Sequence, residues 1–188
     1  GHFVFGNDCK KVDLYSLVRD VHKTFFSSLY FHYFRTFKEK KSNIAIMNLI
    51  QNDFDINLNI SSDDELKINN LIKSNYLVSN PFTKLIAGIP FQKFFFVEKD
   101  IKIDDNNFKT AVDNLKYFKY IGNIEDIDKF FLKLIKVYNF NIKKYEIKNV
   151  ANLDRNEIDR LIKKFYFEIS DYNKYDIKLI KIIKNRFS

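Results

Sequence analysis

The sequence predicts an α/β chain that is rich in helix and poor in sheet. Two short segments read as strands. Val12–Val18 (VDLYSLV) mixes β-branched, aromatic and polar residues in partial alternation, and Phe118–Ile121 (FKYI) is short, apolar and ended by Gly122. Most of the remaining chain carries apolar residues at three- and four-residue steps, the spacing of a helix face. No internal repeat, long linker or Gly/Ser-rich hinge divides it, so residues 1–188 read as one domain, long enough to bury a core.

In chain order, Asp20 follows the first strand and suits the cap of a helix over His22–Lys40. Phe25, Phe26, Leu29, Tyr30, Tyr33, Phe34 and Phe37 give that helix a wide aromatic face, the pattern of core packing. Ser42–Gln51 continues as a second helical piece, and the Asn- and Asp-rich Asn52–Ser62 reads as a loop. A further helix starts at Asp63 or Asp64 and runs to about Ser74. Asn80–Pro81 starts a short helix, because proline suits the first helical position, and Gly88 before Pro90 suits its end. Asp104 or Asp105 starts a helix through Tyr117, and Glu125–Tyr138 is amphipathic. Two last helices are expected over Asp154–Phe167 and Tyr172–Phe187.

Composition limits the function classes. The formal net charge of +8 favours an anionic partner: a nucleotide, an acidic glycan, nucleic acid or a membrane surface. The bias towards Phe, Ile, Asn and Lys fits an AT-rich genome, which accounts for part of the lysine excess. The single Cys9 rules out an intrachain disulfide and a cysteine zinc cluster, and points to a reducing compartment. With no signal peptide and no run of about twenty apolar residues, a cytoplasmic protein is expected. Phosphate-binding GxxxxGK[ST] and GxGxxG loops, HExxH and GxSxG are all missing, and three histidines make no convincing metal site.

One constellation can hold phosphate. Arg19 stands where the first strand hands over to a helix, and Ser27 follows eight residues later, about two helical turns on. A guanidinium fork and a short hydroxyl donor can converge on one phosphate. The same residues also read as a surface charge at a helix start and a spacer between aromatics.

Four pieces in order resemble the carbohydrate sulfotransferases of the heparan-sulfate and chondroitin type and their bacterial relatives. Gly1-His2-Phe3-Val4-Phe5-Gly6 is similar to the family's Gly-His segment. Leu17-Val18-Arg19-Asp20, followed by Ser27-Ser28-Leu29-Tyr30, resembles its Arg-Asp-Pro segment with a serine eight residues on. Asn80-Pro81-Phe82-Thr83-Lys84-Leu85-Ile86-Ala87-Gly88 matches Asn-x-x-Thr-Arg-x-Leu-Ala-Gly, with Lys84 for the arginine. Phe118-Lys119-Tyr120-Ile121-Gly122-Asn123-Ile124-Glu125 is similar to the strand ending in Gly-x-Thr-Glu, and Asp176-Ile177-Lys178-Leu179-Ile180 fits the closing acidic helix.

The resemblance implies a helix-rich remnant of a P-loop-like sulfotransferase fold with a small parallel sheet. It implies 3′-phosphoadenosine 5′-phosphosulfate as co-substrate, a carbohydrate hydroxyl as acceptor and no metal. By position, Arg19 and Ser27 would hold the donor's 3′-phosphate, and His2 would be the base that deprotonates the acceptor. Val21 replaces the family's proline. Thr24 stands where a second arginine is common, with Lys23 beside it. The family's strand and lysine loop for the 5′-phosphosulfate would lie upstream of Gly1. The chain is therefore expected to be the C-terminal two-thirds of such a domain, with little transferase activity alone. A bacterial cytoplasmic enzyme is expected, or a Golgi-lumenal one if eukaryotic. Membrane association stays open. Two readings of other classes stand beside this one: a basic helical nucleic-acid-binding module, and a protein-interaction module built on Phe25–Phe37. Lysines spread over many helices, without a recognition motif, speak against nucleic acid.

Overall fold

A computed structural model describes residues 13–30, 65, 66, 69, 70, 73, 78–90, 93, 101–139 and 155–187. Strand β1 (Leu14–Val18) leads into helix α1 (Val21–Tyr30), where the Asp20 carboxylate accepts from Lys23 N at 3.0 Å, as a cap should. After α2 (Pro81–Ile86) and α3 (Asp105–Asn114), a 3-10 turn over Leu115–Tyr117 enters strand β2 (Phe118–Asn123). A second 3-10 turn, Ile124–Asp126, opens α4 (Ile127–Tyr138), and α5 (Arg155–Lys164), α6 (Tyr166–Tyr172) and α7 (Lys174–Phe187) follow.

The two strands pair in parallel, with Tyr15 opposite Tyr120, Leu17 opposite Gly122 and Val18 opposite Asn123. Helix-rich α/β architecture with a small parallel sheet is thus what the described residues form. Parallel strands need a long crossover, and about a hundred residues separate these two. The core lies where the sheet meets α1, α2, α3 and α7. Val18, Val21, Ile86, Ala111, Leu115, Ile121, Leu179, Ile180 and Ile183 form one buried cluster there.

Local signals account for the helix ends. Asp104 and Asn107 close a reciprocal capping box on α3, with Asn107 N donating to Asp104 Oδ1 at 2.8 Å. At the end of α2, Gly88 takes a positive φ of 84°. Its N–H donates to Leu85 O, and Ile89 N donates to Lys84 O, which together make a Schellman motif.

Several boundaries differ from the sequence reading; 3-10 turns take the expected end of α3 after Asn114 and the expected start of α4 before Ile127. Among the described residues β1 begins at Leu14, not Val12; Val12 lies outside them. Gly122 does not end β2 but sits inside it, opposite Leu17 in the ladder, where Phe130 of α4 packs closely. A Cβ on Gly122 would stand 2.9 Å from Phe130 Cδ2. The two closing helices are three: Phe165 (φ −102°, ψ 20°) and Asn173 (φ −117°, ψ 29°) leave helical geometry and break the run. The expectations for His2, Cys9, His32, most of the aromatic stripe beyond Phe26, Ser42–Gln51 and Asn52–Ser62 fall outside the described residues or their side chains.

Candidate functional site

The candidate site forms at the carboxyl edge of the sheet, where an open parallel sheet offers its binding crevice. Val18 and Asn123 are level in the ladder, so both strands finish at that edge. Arg19 is the residue immediately after β1 and is half-buried. Two residues later, at Val21, α1 begins. Its buried side carries Val21, His22, Phe25 and Phe26, which leaves Lys23 and Ser27 exposed. These two are four residues apart and so neighbours on one face. Lys23 Nζ reaches Glu125 Oε1 at 3.9 Å, in the turn that follows β2. That contact ties the exposed face of α1 to the end of the second strand. Lys23 and Ser27 thus share one exposed face of α1, and Arg19 stands in the link between β1 and that helix. Lys23 is the member that the sequence pattern left in second place, beside Thr24, and the i, i+4 step from Ser27 was its signal.

Thr24 turns the other way. Its hydroxyl is buried and finds no hydrogen-bond partner among the described residues. It faces a cavity of ≈ 10 Å³, about the size of one water, shared with Ser28, Pro81, Asn173 and Asp176. His22 anchors α1 from behind. Its ring stacks on Tyr166 at 4.5 Å, and Nε2 lies 2.9 Å from Ser170 Oγ. Ser170 Oγ donates to Tyr166 O at 2.6 Å, which assigns the His22 Nε2 proton as the donor to Ser170. His22 therefore packs α1 against α6, while its Nδ1 stands 3.7 Å from Asp20 Oδ1 in the link after β1.

Beneath α1 lies a buried polar lock that joins the third and last pieces of the sequence pattern. Asn80 holds φ 47°, a left-handed conformation that asparagine tolerates. Its Oδ1 accepts from Tyr175 N at 2.9 Å and Asp176 N at 3.0 Å, and its Nδ2 donates to Tyr172 O at 3.0 Å. The Asp176 carboxylate returns the favour, accepting from Phe82 N, Thr83 N and Thr83 Oγ1 at 3.0, 2.7 and 2.7 Å. Asn173 Oδ1 adds a bond from Asn80 N at 2.8 Å. Lys84, with no exposed surface, donates from Nζ to Ser79 O at 2.5 Å. Burial pushes the Asp176 carboxyl up to about 6, against the opposing pull of the Thr83 and Phe82 bonds and Lys84. Sequence reading took Asn80 as a helix start and Asp176 as part of an acidic helix, and had no signal that the two meet.

His2 lies outside the described residues, so its relation to this edge is not part of the described site. Among the described residues no group of three or more His, Cys, Asp or Glu side chains could hold a metal ion, and no helix is long and apolar enough to cross a membrane. No family model, curated protein or solved structure matches the chain.

Proposed function

We propose that this chain is part of a sulfotransferase-type domain that binds 3′-phosphoadenosine 5′-phosphosulfate and transfers its sulfuryl group to a carbohydrate hydroxyl. The observation that carries the reading is the carboxyl edge of the parallel sheet. Arg19 leaves β1 there, and α1 sets Lys23 and Ser27 on one exposed face, with Lys23 reaching the turn after β2. A guanidinium, an ammonium and a hydroxyl within nine residues match the donor set that a phosphomonoester needs. The same resemblance supplies the rest of the reading, since Asn80–Gly88, Phe118–Glu125 and Asp176 are its other pieces.

In this reading Arg19 and Ser27 hold the donor's 3′-phosphate, with Lys23 adding charge. The acceptor oxygen attacks sulfur while a base takes its proton, and His2 is the residue assigned to that step. The bond from sulfur to the 5′-phosphate oxygen breaks, and 3′-phosphoadenosine 5′-phosphate is released. Its developing charge calls for cationic stabilisation.

Calorimetric titration with 3′-phosphoadenosine 5′-phosphate tests the donor site. Saturable binding that depends on Arg19 is expected. Absence of binding by the chain, or binding indifferent to Arg19→Ala, overturns the assignment. For His2, transfer activity with an unaltered rate-versus-pH profile in His2→Ala removes it as the base.

A further inference from the structure

Helix α1 is held on one flank by His22, which reaches Ser170 of α6. Thr24, two residues on, lacks such a tie. Its Oγ1 is shielded from solvent and makes no hydrogen bond among the described residues. A threonine in a helix can bond the carbonyl four residues back. Here Asp20 O takes the Thr24 N–H at 2.9 Å and not the hydroxyl. A buried hydroxyl without a partner costs free energy, so folded proteins seldom keep one dry.

The cavity that Thr24 lines has the traits of a water site rather than of a void. It leaves ≈ 10 Å³ open to a water-sized sphere, about what one water needs. Cavities that stay empty are walled by apolar groups. Thr24 and Ser28 of α1, Asn173 between α6 and α7, and Asp176 of α7 bring polar groups to this one. Two of them have bonding capacity left among the described residues. Asp176 Oδ1 accepts twice, from Thr83 N and Thr83 Oγ1, whereas Oδ2 accepts once, from Phe82 N, and has room for another donor. Asn173 Nδ2 gives one proton to Ile169 O and carries a second. Burial disfavours the ionised Asp176 carboxyl, and a further donor would oppose that effect.

We propose that one ordered water molecule fills this cavity and bridges the Thr24 hydroxyl to Asp176 Oδ2. The water accepts the Thr24 proton and donates to the carboxylate. Ser28 Oγ and Asn173 Nδ2 are the remaining polar groups within the same walls. The helix that presents Lys23 and Ser27 is thereby hydrogen-bonded to the Asn80–Asp176 lock, with His22 holding its other flank. A water-mediated bond of this kind is nearly as favourable in enthalpy as a direct one. The bridge stands whatever binds at the sheet edge.

A crystal structure of the chain is the direct test. Density for one water about 3 Å from both Thr24 Oγ1 and Asp176 Oδ2 is expected. A cavity without density, or a Thr24 hydroxyl rotated onto Asp20 O, overturns the proposal. Stability in solution gives a second reading. Thr24→Val keeps the shape of the side chain and removes its hydroxyl. With the bridge in place, the variant loses a partner for the water, and the unfolding equilibrium constant is expected to rise about fivefold or more. A dry cavity predicts the opposite sign, because the substitution then removes an unpartnered buried hydroxyl. Thr110→Val is the control. Its exposed hydroxyl donates to Asn106 O at 2.9 Å, and its loss is expected to move the constant by less than about threefold. A constant for Thr24→Val that falls, stays level or rises no more than the control's overturns the bridge.

Discussion

Asn80 and Asp176 cap each other's helices. Asn80 Oδ1 takes the first free N–H groups of α7, from Tyr175 and Asp176, and the Asp176 carboxylate takes those of α2, from Phe82 and Thr83. Each side chain satisfies donors that a helix start cannot satisfy itself, and the two segments lie some ninety residues apart in the chain. The pair therefore fixes α2 to α7 at the base of the core and sets the floor under α1.

Asp176→Ala is expected to cost about 3–5 kcal/mol. It strands the N–H groups of Phe82 and Thr83 and the Thr83 hydroxyl, and leaves the Lys84 ammonium without its nearby carboxylate. Asn80→Gly keeps access to positive φ but loses the side-chain bonds, so about 2–3 kcal/mol is expected from that change. Urea unfolding with unchanged slope measures both. A loss under about 0.5 kcal/mol for Asp176→Ala would show that the lock is not stabilising.

The raised pKa of Asp176 fixes the sign of one pH effect. Its carboxyl titrates near 6 when folded and at its ordinary value of 3.8 when unfolded, so the folded chain holds the proton more tightly. This group's contribution therefore grows as pH falls through 6 towards 4, and is lost as pH rises above 6. Between pH 7 and 5 the gain is about 1 kcal/mol. Glu65 works in the opposite direction at lower pH: bonds from Lys164 and Arg160 hold its carboxyl below the usual value, so its contribution fades under acid. The measurement is the urea midpoint at pH 7 and pH 5 for the wild type and Asp176→Asn. The wild type should gain stability relative to the variant at pH 5; an equal change in both contradicts the assignment.

Gly122→Ala should destabilise the contact between β2 and α4 by about 1–3 kcal/mol, the usual cost of overpacking. The new Cβ would press on Phe130 Cδ2 at 2.9 Å and Leu17 Cδ2 at 3.2 Å. Thermal melts of Gly122→Ala in wild-type and Phe130→Leu backgrounds form the check. The penalty should shrink when Phe130 is shortened, and an equal penalty in both backgrounds would place the strain elsewhere.

Features that depend on neighbours in the chain were legible in the sequence. Asp20, Asp104 and Gly88 punctuate helices through bonds within a few residues of themselves, and Pro81 occupies the first position of α2. The two strand segments were visible from their composition, although periodicity said nothing of Gly122 lying inside β2 rather than after it. That placement depends on pairing with Leu17 and Val18 of β1, about a hundred residues earlier. The breaks at Phe165 and Asn173 were hidden because the apolar spacing runs on through them, and Asn173 leaves the helix to serve Asn80. In the candidate site, the order strand, Arg19, helix, Ser27 was readable. The turn of Thr24 towards the lock and the reach of Lys23 to Glu125 were not, because both depend on long-range packing.

The central claim is that Arg19 and Ser27 hold a 3′-phosphate. The most direct measurement is the calorimetric affinity of the chain for 3′-phosphoadenosine 5′-phosphate and for adenosine 5′-monophosphate, in the wild type and in Arg19→Ala. The account predicts that the wild type prefers the 3′-phosphorylated nucleotide. It also predicts that Arg19→Ala weakens that nucleotide alone by about 1.5–3 kcal/mol, the worth of a hydrogen bond to a charged group. Equal affinities for the two nucleotides in the wild type, or equal weakening of both by Arg19→Ala, would contradict it.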